Sequence, residues 1–464
     1  MSPLATLKGI FADDGLKNRA IRSSGMTAIR FGGQNFMRLA SNLILTRLLF
    51  PEAFGIMAII QVVLSGAAMF SDLGIRSAIV QDKRGNDPAF LNTAWTIQIG
   101  RGFLLGLIVA VSAGPIADFY DTPILADLLL VSAFVPVIQG FVSTRMATAS
   151  RELFLGRMVA LHLGSQLIGI LVMIAMAWWL ETVWALVIGS IVGPLIITVL
   201  SHVNSVLPGI KNRILFEKDA FTRLLKFGKY IFLATVAGFF INQGDKAILG
   251  KYVTLSELAI YNIAFFLASV PMMLAQTMSQ AVLFPLYARR PPSESAENRR
   301  KIDRARIMIT GVLMCGLALM ALIGDWLIRF LYDPRYYDAG PLMILIALAA
   351  MPRVIMASYS SLPLAAGDSG RYATVLSAGA LFQLSLVFVG AVYFGVVGVI
   401  LAPLISAVLY HPALAVTARR YNGWDLRHDL LYYGFGIAIA LVVGLLHGEL
   451  ISDLIVSALA RARE

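Results

Sequence analysis

Cysteine and charge are the scarcest features of this sequence. The 464 residues include one cysteine, Cys315, so the chain has neither an internal disulfide nor a thiolate metal site. Charged residues make up 14% of the chain, whereas a soluble domain has about a quarter. Hydrophobic residues make up 58%. This composition excludes an ordinary soluble domain.

Several functional motifs are also missing. The sequence contains no Gly-Lys-Ser/Thr phosphate-binding loop, which argues against direct ATP hydrolysis. The first 23 residues have no long apolar core followed by a small-residue cleavage site, so we expect no secretory signal peptide. Leu4, Leu7, Ile10 and Phe11, with Lys8, instead predict a short amphipathic helix on a membrane surface. We expect no metal, cofactor or catalytic residue.

Long apolar runs dominate what is present. Runs of about 18 to 25 residues are long enough for a helix to cross a hydrocarbon core about 30 Å thick, and the alternating pattern of membrane strands is absent. The predicted spans are 24–45, 54–73, 93–116, 125–146, 158–180, 183–203, 227–250, 258–286, 307–331, 339–366, 373–394, 396–418 and 430–447, with a short segment at 451–459.

This layout predicts an all-α integral membrane protein with two six-helix lobes. We expect a cytoplasmic amphipathic segment at 1–23, lobes at 24–204 and 227–418, a basic linker at 205–226, and one or two additional helices within 419–464. An even number of helices separates the two lobes, so they would form parallel repeats. A weak echo between residues 46–55 and 250–259 supports duplication, because each stretch places a Glu at the start of a helix.

The distribution of basic residues predicts the orientation. About 27 of the 38 Lys and Arg residues fall in the amino-terminal tail and alternate connections, against about five in the opposite set. The amino terminus is therefore expected in the cytoplasm, in a bacterial inner membrane. Anionic lipid headgroups would account for the net charge of +11 without nucleic acid.

Charges inside the spans are the main candidates for function, because each one costs free energy in lipid. Arg30, Gln34, Arg38 and Asn42 are spaced four apart and form one polar stripe on helix 1. Arg30 lies near the cytoplasmic end, so it either snorkels to the surface or lines a cavity. Arg38 is deeper, which favours the cavity.

Arg101 and Arg353 add candidates in both lobes. Arginine keeps its charge when desolvated and binds phosphate oxygens with two parallel hydrogen bonds, so these arginines suggest an anion site. The alternative is internal pairing of individual arginines with Asp72, Asp245 or Asp325.

Asp72, Asp245, Lys246 and His162 are candidates for coupling or gating. Asp245 and Lys246 are adjacent on a helix, so they serve either substrate contact or anchoring between helices. His162 is either a protonation switch or a hydrogen-bonded packing residue.

Three stretches resemble a known family. They are residues 46–55, from Thr46 to Gly55, residues 70–81, from Phe70 to Gln81, and residues 245–250 together with Tyr261. The chain resembles the polysaccharide-transport branch of the multidrug/oligosaccharidyl-lipid/polysaccharide exporter superfamily, although the family usually has a Gly near Ala259. The resemblance implies a MATE-like fold with a central cationic cavity.

The resemblance also implies an activity. Such proteins move oligosaccharide units linked through diphosphate to undecaprenol from the cytoplasmic to the periplasmic leaflet, driven by a gradient of H⁺ or Na⁺, for O-antigen or exopolysaccharide biosynthesis. A polysaccharide polymerase and chain-length proteins are the expected partners. The competing hypotheses are a multidrug cation antiporter, a flippase for a peptidoglycan precursor, and a membrane polymerase or ligase. Cavity arginines disfavour the antiporter, and short outer loops disfavour the enzyme.

Overall fold

A computed structural model describes residues 16–152 and 154–461 of the chain. Every regular element within these residues is helical, so the predicted all-α class is confirmed. The amphipathic helix predicted around residues 4–11 lies outside the described part.

Among the described residues, nine helices precede the linker. They are α1 (Leu16–Leu48), α2 (Pro51–Met69), α3 (Ile75–Gln81), α4 (Pro88–Phe119), α5 (Ile124–Ser132), α6 (Phe134–Gly140), α7 (Arg145–Arg151), α8 (Leu155–Leu180) and α9 (Trp184–Ser201). The rest of the chain forms α10 (Lys218–Tyr252), α11 (Leu255–Ala268), α12 (Val270–Met278), α13 (Phe284–Arg289), α14 (Ala296–Leu331), α15 (Ala339–Ser360), α16 (Leu362–Ala365), α17 (Ser369–Arg419) and α18 (Leu426–Arg461). A π-helical turn, Ser279–Leu283, joins α12 to α13, and a 3₁₀ turn, Pro334–Tyr336, precedes α15.

The lengths of these helices fit a membrane protein that crosses the bilayer many times. Within the described residues, eight helices are long and apolar enough to cross a membrane, or ten if each of two bent pairs forms one span. The bent pairs are Ile124–Gly140 with Arg145–Arg151, at 55°, and Leu255–Ala268 with Val270–Met278, at 46°. Among the described residues, α1 is not one of the eight, because polar residues interrupt its apolar stretch.

Two compact units divide the chain between Val236 and Ala237, inside α10. In the second unit α15 is the central helix, and 83% of its most apolar window is buried. It packs against α11, α14, α17 and α18. A helix that is apolar on all sides is stable only when neighbours surround it, which explains why α15 has buried residues on every face.

A glycine turns α17 into a hairpin. Gly395 has φ 55° and ψ −134°, a conformation that costs other residues steric strain. Gly390 and Gly398 then lie in backbone contact, although eight residues of straight helix would separate them by about 12 Å. The Tyr410 hydroxyl also donates to the Val375 carbonyl at 2.7 Å. The 51 residues of α17 therefore supply the two separate spans predicted from the sequence.

The predicted basic linker is held tightly against the first unit. Arg84, in the connection between α3 and α4, donates to Glu217 and Asp219 as well as to Asp87. These hydrogen bonds, to Glu217 first and then to Asp87, raise the pKa of Arg84 above its usual range. The buried Asn212 side chain bonds to Thr144 at 2.7 Å. The segment between α9 and α10 is thus an ordered part of the unit.

Replacing Gly390 with Ala should destabilise the α17 hairpin. The added Cβ would lie 2.5 Å from the Gly398 carbonyl oxygen, and overpacking of this kind costs about 1–3 kcal/mol. We expect a lower melting temperature and a smaller monodisperse fraction in size-exclusion chromatography. Gly444→Ala is the matched control, because a Cβ there meets nothing within 4 Å. Equal stability of the two variants would contradict the close packing.

Candidate functional site

The first unit contains a cavity of about 600 Å³. It is lined by apolar residues and by a set of polar ones, namely Gln61, Ser65, Arg76, Gln98, Arg101, Gln139, Ser143, Thr144, His162 and Ser190. No Asp or Glu is among the described residues that line it. The cavity therefore combines positive charge and hydrogen-bond donors with no opposing carboxylate on its wall.

Arg101 is the deepest charge of this wall along α4. Its Nε donates to the Ser71 hydroxyl at 3.0 Å, and its Nη2 donates to the Ala68 carbonyl at 2.7 Å. Both acceptors lie at the end of α2, so the guanidinium is fixed in orientation. These two bonds leave Nη1 outside the anchoring contacts. A fixed guanidinium with a remaining donor group is suited to bind an anion.

The turn between α2 and α3 explains one of the sequence motifs. The Ser71 hydroxyl donates to the Ala67 carbonyl at 2.8 Å and holds Arg101. Asp72 Oδ1 accepts from the Gly74 backbone N–H at 2.8 Å, and Gly74 has φ 59°. Asp72, a predicted coupling residue, thus shapes the turn, and its charge acts on Arg101 without a direct ion pair among the described contacts.

Arg76 is a cavity residue that the sequence analysis missed. It follows the turn by two residues and lines the cavity together with Arg101. Burial, and after it the charge of Arg30, lowers the pKa of Arg76. The Arg30 charge therefore lies near Arg76, but Arg30 is not a lining residue and its role stays a prediction. The sequence signal for Arg76 was its place in the stretch 70–81 that carries the family resemblance.

His162 lies on the same wall. Its Nε2 atom is buried and has no hydrogen-bond partner among the described residues. The charges of Arg30 and Arg76 both act on it. His162 does not make the bond expected of a packing histidine through this nitrogen, so both its roles in the sequence analysis stay predictions. Its neighbour on α8, Gln166, donates to the Gln34 carbonyl at 3.0 Å and ties α8 to α1.

Gln98 stabilises the break in the fourth span. Its Nε2 lies 3.0 to 3.2 Å from the carbonyls of Gln139, Gly140 and Val142, where α6 ends. Carbonyls released by a broken helix have no water partner in a bilayer. The amide side chain satisfies them, and this keeps the cavity wall open at the bend.

The polar stripe predicted on α1 is only partly associated with this cavity. Arg30 acts on two cavity residues, whereas Gln34 contributes its backbone carbonyl to Gln166. Arg38 is exposed and is not a lining residue. Arg38 and the exposed Phe36 are two residues apart, so they lie on different sides of the helix, about 200° around its axis. The substrate role of these residues stays a prediction.

Arg353 belongs to a cluster in the second unit. The Tyr261 hydroxyl donates to Asp245 Oδ2 at 2.5 Å, and both groups interact electrostatically with Arg353. This contact explains why Asp245 and Tyr261 occur together in the motif. Lys246 lies over the Phe265 ring at 5.1 Å. Arg353 therefore has an acidic neighbour, but no direct ion pair joins the two among the described contacts, and the internal-pairing alternative stays a prediction.

Asp325 has a different partner. It forms an ion pair with Arg329 at 2.8 Å, one turn along α14. It is therefore engaged locally and has no part in either arginine cluster.

Curated relatives of the chain are proteins of polysaccharide biosynthesis. The succinoglycan biosynthesis transport protein ExoT of Rhizobium meliloti (strain 1021) is 22% identical over 334 residues, which cover 71% of this chain and 65% of the relative. The lipopolysaccharide biosynthesis protein WzxC of Escherichia coli (strain K12) is 22% identical, over 67% of this chain and 63% of the relative. The teichuronic acid biosynthesis protein TuaB of Bacillus subtilis (strain 168) is 20% identical, over 65% and 62%. The matches thus span somewhat less than two thirds of each relative.

Solved structures share the fold. The lipid II flippase MurJ in an inward closed conformation has a TM-score of 0.66 at 14% identity, over 91% of this chain and 99% of that chain. A multidrug resistance MATE family transporter in an inward-facing conformation has a TM-score of 0.58 at 14% identity, over 84% and 95%. These likenesses confirm the MATE-like fold expected from the sequence.

The family follows from a direct match to the sequence. Residues 44–341 match the family model described as polysaccharide biosynthesis protein. This region is more than half of the 464 residues and includes the turn at Ser71 and the Asp245–Tyr261 pair. The chain belongs to this family of polysaccharide biosynthesis proteins.

Proposed function

We propose that the chain is a flippase for undecaprenyl-diphosphate-linked oligosaccharide units. It moves them from the cytoplasmic to the periplasmic leaflet of a bacterial inner membrane, for O-antigen or exopolysaccharide biosynthesis. Membership of the family and the names of the curated relatives support this class of substrate. The activity is transport, without an enzymatic step.

The observation that carries the proposal is the charge of the cavity wall. Arg76 and Arg101 line it with His162, and no described carboxylate opposes them. A diphosphate brings negative charge and many acceptor oxygens, which guanidinium groups bind strongly when water is excluded. A multidrug cation would be repelled by the same wall. The charge therefore favours an anionic substrate over a cation.

The size of the cavity limits which part of the substrate it holds. About 600 Å³ lies within the range of about 300–1,000 Å³ typical of small-molecule sites. We infer that the cavity holds the diphosphate and the nearest sugar, while the polyprenyl chain stays in lipid. The uncharged polar side chains, such as Gln61 and Ser190, supply hydrogen bonds for sugar hydroxyls.

Orientation, energy source and partners complete the proposal. The basic connections support a cytoplasmic amino terminus. A gradient of H⁺ or Na⁺ supplies the energy, because the sequence has no nucleotide-binding loop. A polysaccharide polymerase and chain-length proteins would act on the translocated unit.

Cysteine labelling tests the orientation. On a Cys315→Ser background, Lys211→Cys and Ser293→Cys should not react with an impermeant maleimide in intact spheroplasts, since both exposed positions lie on the proposed cytoplasmic side. Thr182→Cys, exposed between α8 and α9, should react. All three should react after membranes are permeabilised. Labelling of Lys211→Cys in intact spheroplasts would reverse the proposed topology.

Replacement of Arg101 tests the anion site. At matched expression, export of polysaccharide in a flippase-deficient host should fall in the order Arg101, Arg101→Lys, Arg101→Gln, because lysine keeps the charge but loses the planar fork. Losing a charged hydrogen bond of about 1.5–3 kcal/mol corresponds to about a tenfold to hundredfold loss. Ser71→Ala should cause a smaller loss, since it removes only one anchoring contact.

Controls separate this loss from misfolding. Arg335→Gln removes an exposed arginine that pairs with Asp333 away from the cavity, so export should be unchanged. The same assay applied to Arg38→Gln and to the double replacement of Arg38 and Arg353 tests the other predicted arginines. Full export by Arg101→Gln at normal membrane abundance would show that the arginine is structural and overturn the proposed site.

A further inference from the structure

A buried polar cluster lies in the second unit, outside the cavity and the Asp245 cluster. It consists of Tyr359 on α15, His411 on α17, Trp424, and His428 and Asp429 at the start of α18. Tyr359 and His428 are 0% exposed, and Asp429 is 4% exposed. The connection from Trp424 to Asp429 therefore places one carboxylate and one imidazole in the interior of the unit, next to His411 of α17.

Asp429 is the centre of this cluster. Its Oδ1 accepts from the Tyr359 hydroxyl at 2.7 Å and lies 3.1 Å from His428 Nδ1. Its Oδ2 accepts from Trp424 Nε1 at 2.8 Å and lies 2.8 Å from His411 Nε2. The Tyr359 hydroxyl and the Trp424 N–H donate to one oxygen each, and two such donors favour the ionised carboxylate. An ionised carboxylate accepts only, so His411 Nε2 carries a hydrogen.

The other ring nitrogen of His411, Nδ1, lacks within the described part of the chain the hydrogen-bond partner that the neighbouring polar atoms of the cluster have. Because Nε2 carries the hydrogen, Nδ1 of the neutral ring has a lone pair. This atom is buried and has no hydrogen-bond partner among the described residues. The buried hydroxyl of Tyr433 also has none, and the two rings meet edge to face with centroids 5.3 Å apart. His411 Nδ1 is therefore a buried basic atom whose lone pair is not used by any described donor.

His428 is not equipped to take up a proton in the same way. Its Nδ1 contacts Asp429 and the Tyr359 hydroxyl, and its Nε2 lies 3.0 Å from Thr310 Oγ1. Both nitrogens are thus in polar contact with described residues, whereas His411 Nδ1 is not. Of the two histidines, His411 has the available site.

Other charges around the cluster act in both directions. Arg306 on α14 is fully buried, lies 4.4 Å from the Tyr359 ring and donates to the Gly423 carbonyl. Asp303 lies 3.5 Å from Arg306 and offsets part of its charge. Asp425 adds a negative charge near His428, and Arg419 stacks over Trp424 at 4.0 Å. Asp429 alone among these charged groups contacts His411 directly, so it has the largest influence on it.

We propose that His411, held by Asp429, is a proton-binding site that couples proton uptake to transport in the second unit. One proton from water adds to Nδ1 while Nε2–H stays bonded to Asp429, and no covalent bond between heavy atoms forms or breaks. The pair changes from a net charge of −1 to neutral. The site joins α15, α17 and α18, so its protonation alters how these helices are held together. The coupling, though not the proton site itself, rests on the proposed flippase function.

Titration of the full-length protein tests the site directly. The chain has five histidines, and spectra of ring-¹⁵N-labelled protein in nanodiscs can be assigned with His411→Gln. Spectra recorded from about pH 5 to about pH 9 should show proton uptake at His411 Nδ1. Asp429→Asn should lower the midpoint by about one unit or more, because it removes the charge that stabilises the imidazolium. If Asp429→Asn does not fold, Trp424→Phe, which frees one lone pair of Asp429, should raise the midpoint.

The matched control is His447→Gln, because His447 lies 3.0 Å from the Leu322 carbonyl and has no carboxylate partner among the described contacts. It should leave the His411 midpoint unchanged. A His411 ring that stays neutral throughout this pH range, or a midpoint that neither Asp429→Asn nor Trp424→Phe moves, would overturn the proton site.

A transport assay tests the coupling. In proteoliposomes, the probe is a fluorescent polyprenyl-diphosphate N-acetylglucosamine, whose flipping is followed by quenching with dithionite. An imposed pH difference of about one unit, equivalent to about a tenfold change in proton concentration, should change the rate for the wild type and for His447→Gln but not for His411→Gln. A gradient response that persists in His411→Gln, or is absent from the wild type, refutes the coupling. Failure of the wild type to flip the probe at all refutes the proposed function. The titration alone then tests the proton site.

Discussion

Unsatisfied backbone polar groups are the constraint on which the whole structure depends. A carbonyl or amide in hydrocarbon has no water to bind, so the chain forms helices, which satisfy the backbone hydrogen bonds within each segment. Each departure from regular helix must bring its own partners. Gln98 serves the carbonyls at the end of α6, and the buried Arg145 donates to the carbonyls of His202 and Ile210. The polar residues in the spans are therefore not all functional.

The arginines within the helices likewise have either a structural or a binding role. Arg145 has its donors directed at backbone carbonyls and is a structural residue. Arg101 has two anchoring contacts and a place on the cavity wall. The surroundings of the guanidinium decide between the two roles, because arginine in a helix can serve either role. A charge within an apolar span indicates a residue with a structural or functional role. The contacts that the neighbouring helix offers determine which role it has.

Much of the fold could be predicted from sequence because it depends on local patterns. Apolar length predicted the spans, and the boundary predicted between 373–394 and 396–418 coincides with Gly395, the residue of α17 that leaves helical conformation. The tight attachment of the linker could not be predicted, since Arg84 and Glu217 are 133 residues apart. Contacts between residues so far apart in the chain cannot be detected from the periodicity of the sequence.

The candidate sites show the same limit. Arg101 was predicted because it interrupts an apolar run. Arg76 was not, because it lies in a polar connection where an arginine is ordinary. His411 and Asp429 were missed for a similar reason, since each lies near the end of a span, where polar residues are expected. Only their contact across α17 and α18 distinguishes them.

The position of Asp429 at the beginning of the last helix has a consequence for biogenesis. Ribosomal synthesis delivers α14, α15 and α17 to the bilayer before α18 exists, so Thr310, Tyr359 and His411 enter without the partners they have in the finished protein. Arrival of α18 satisfies all three at once. A chain truncated before α18 would therefore leave these three groups without the partners that the helix supplies, and such unsatisfied polar groups favour misassembly.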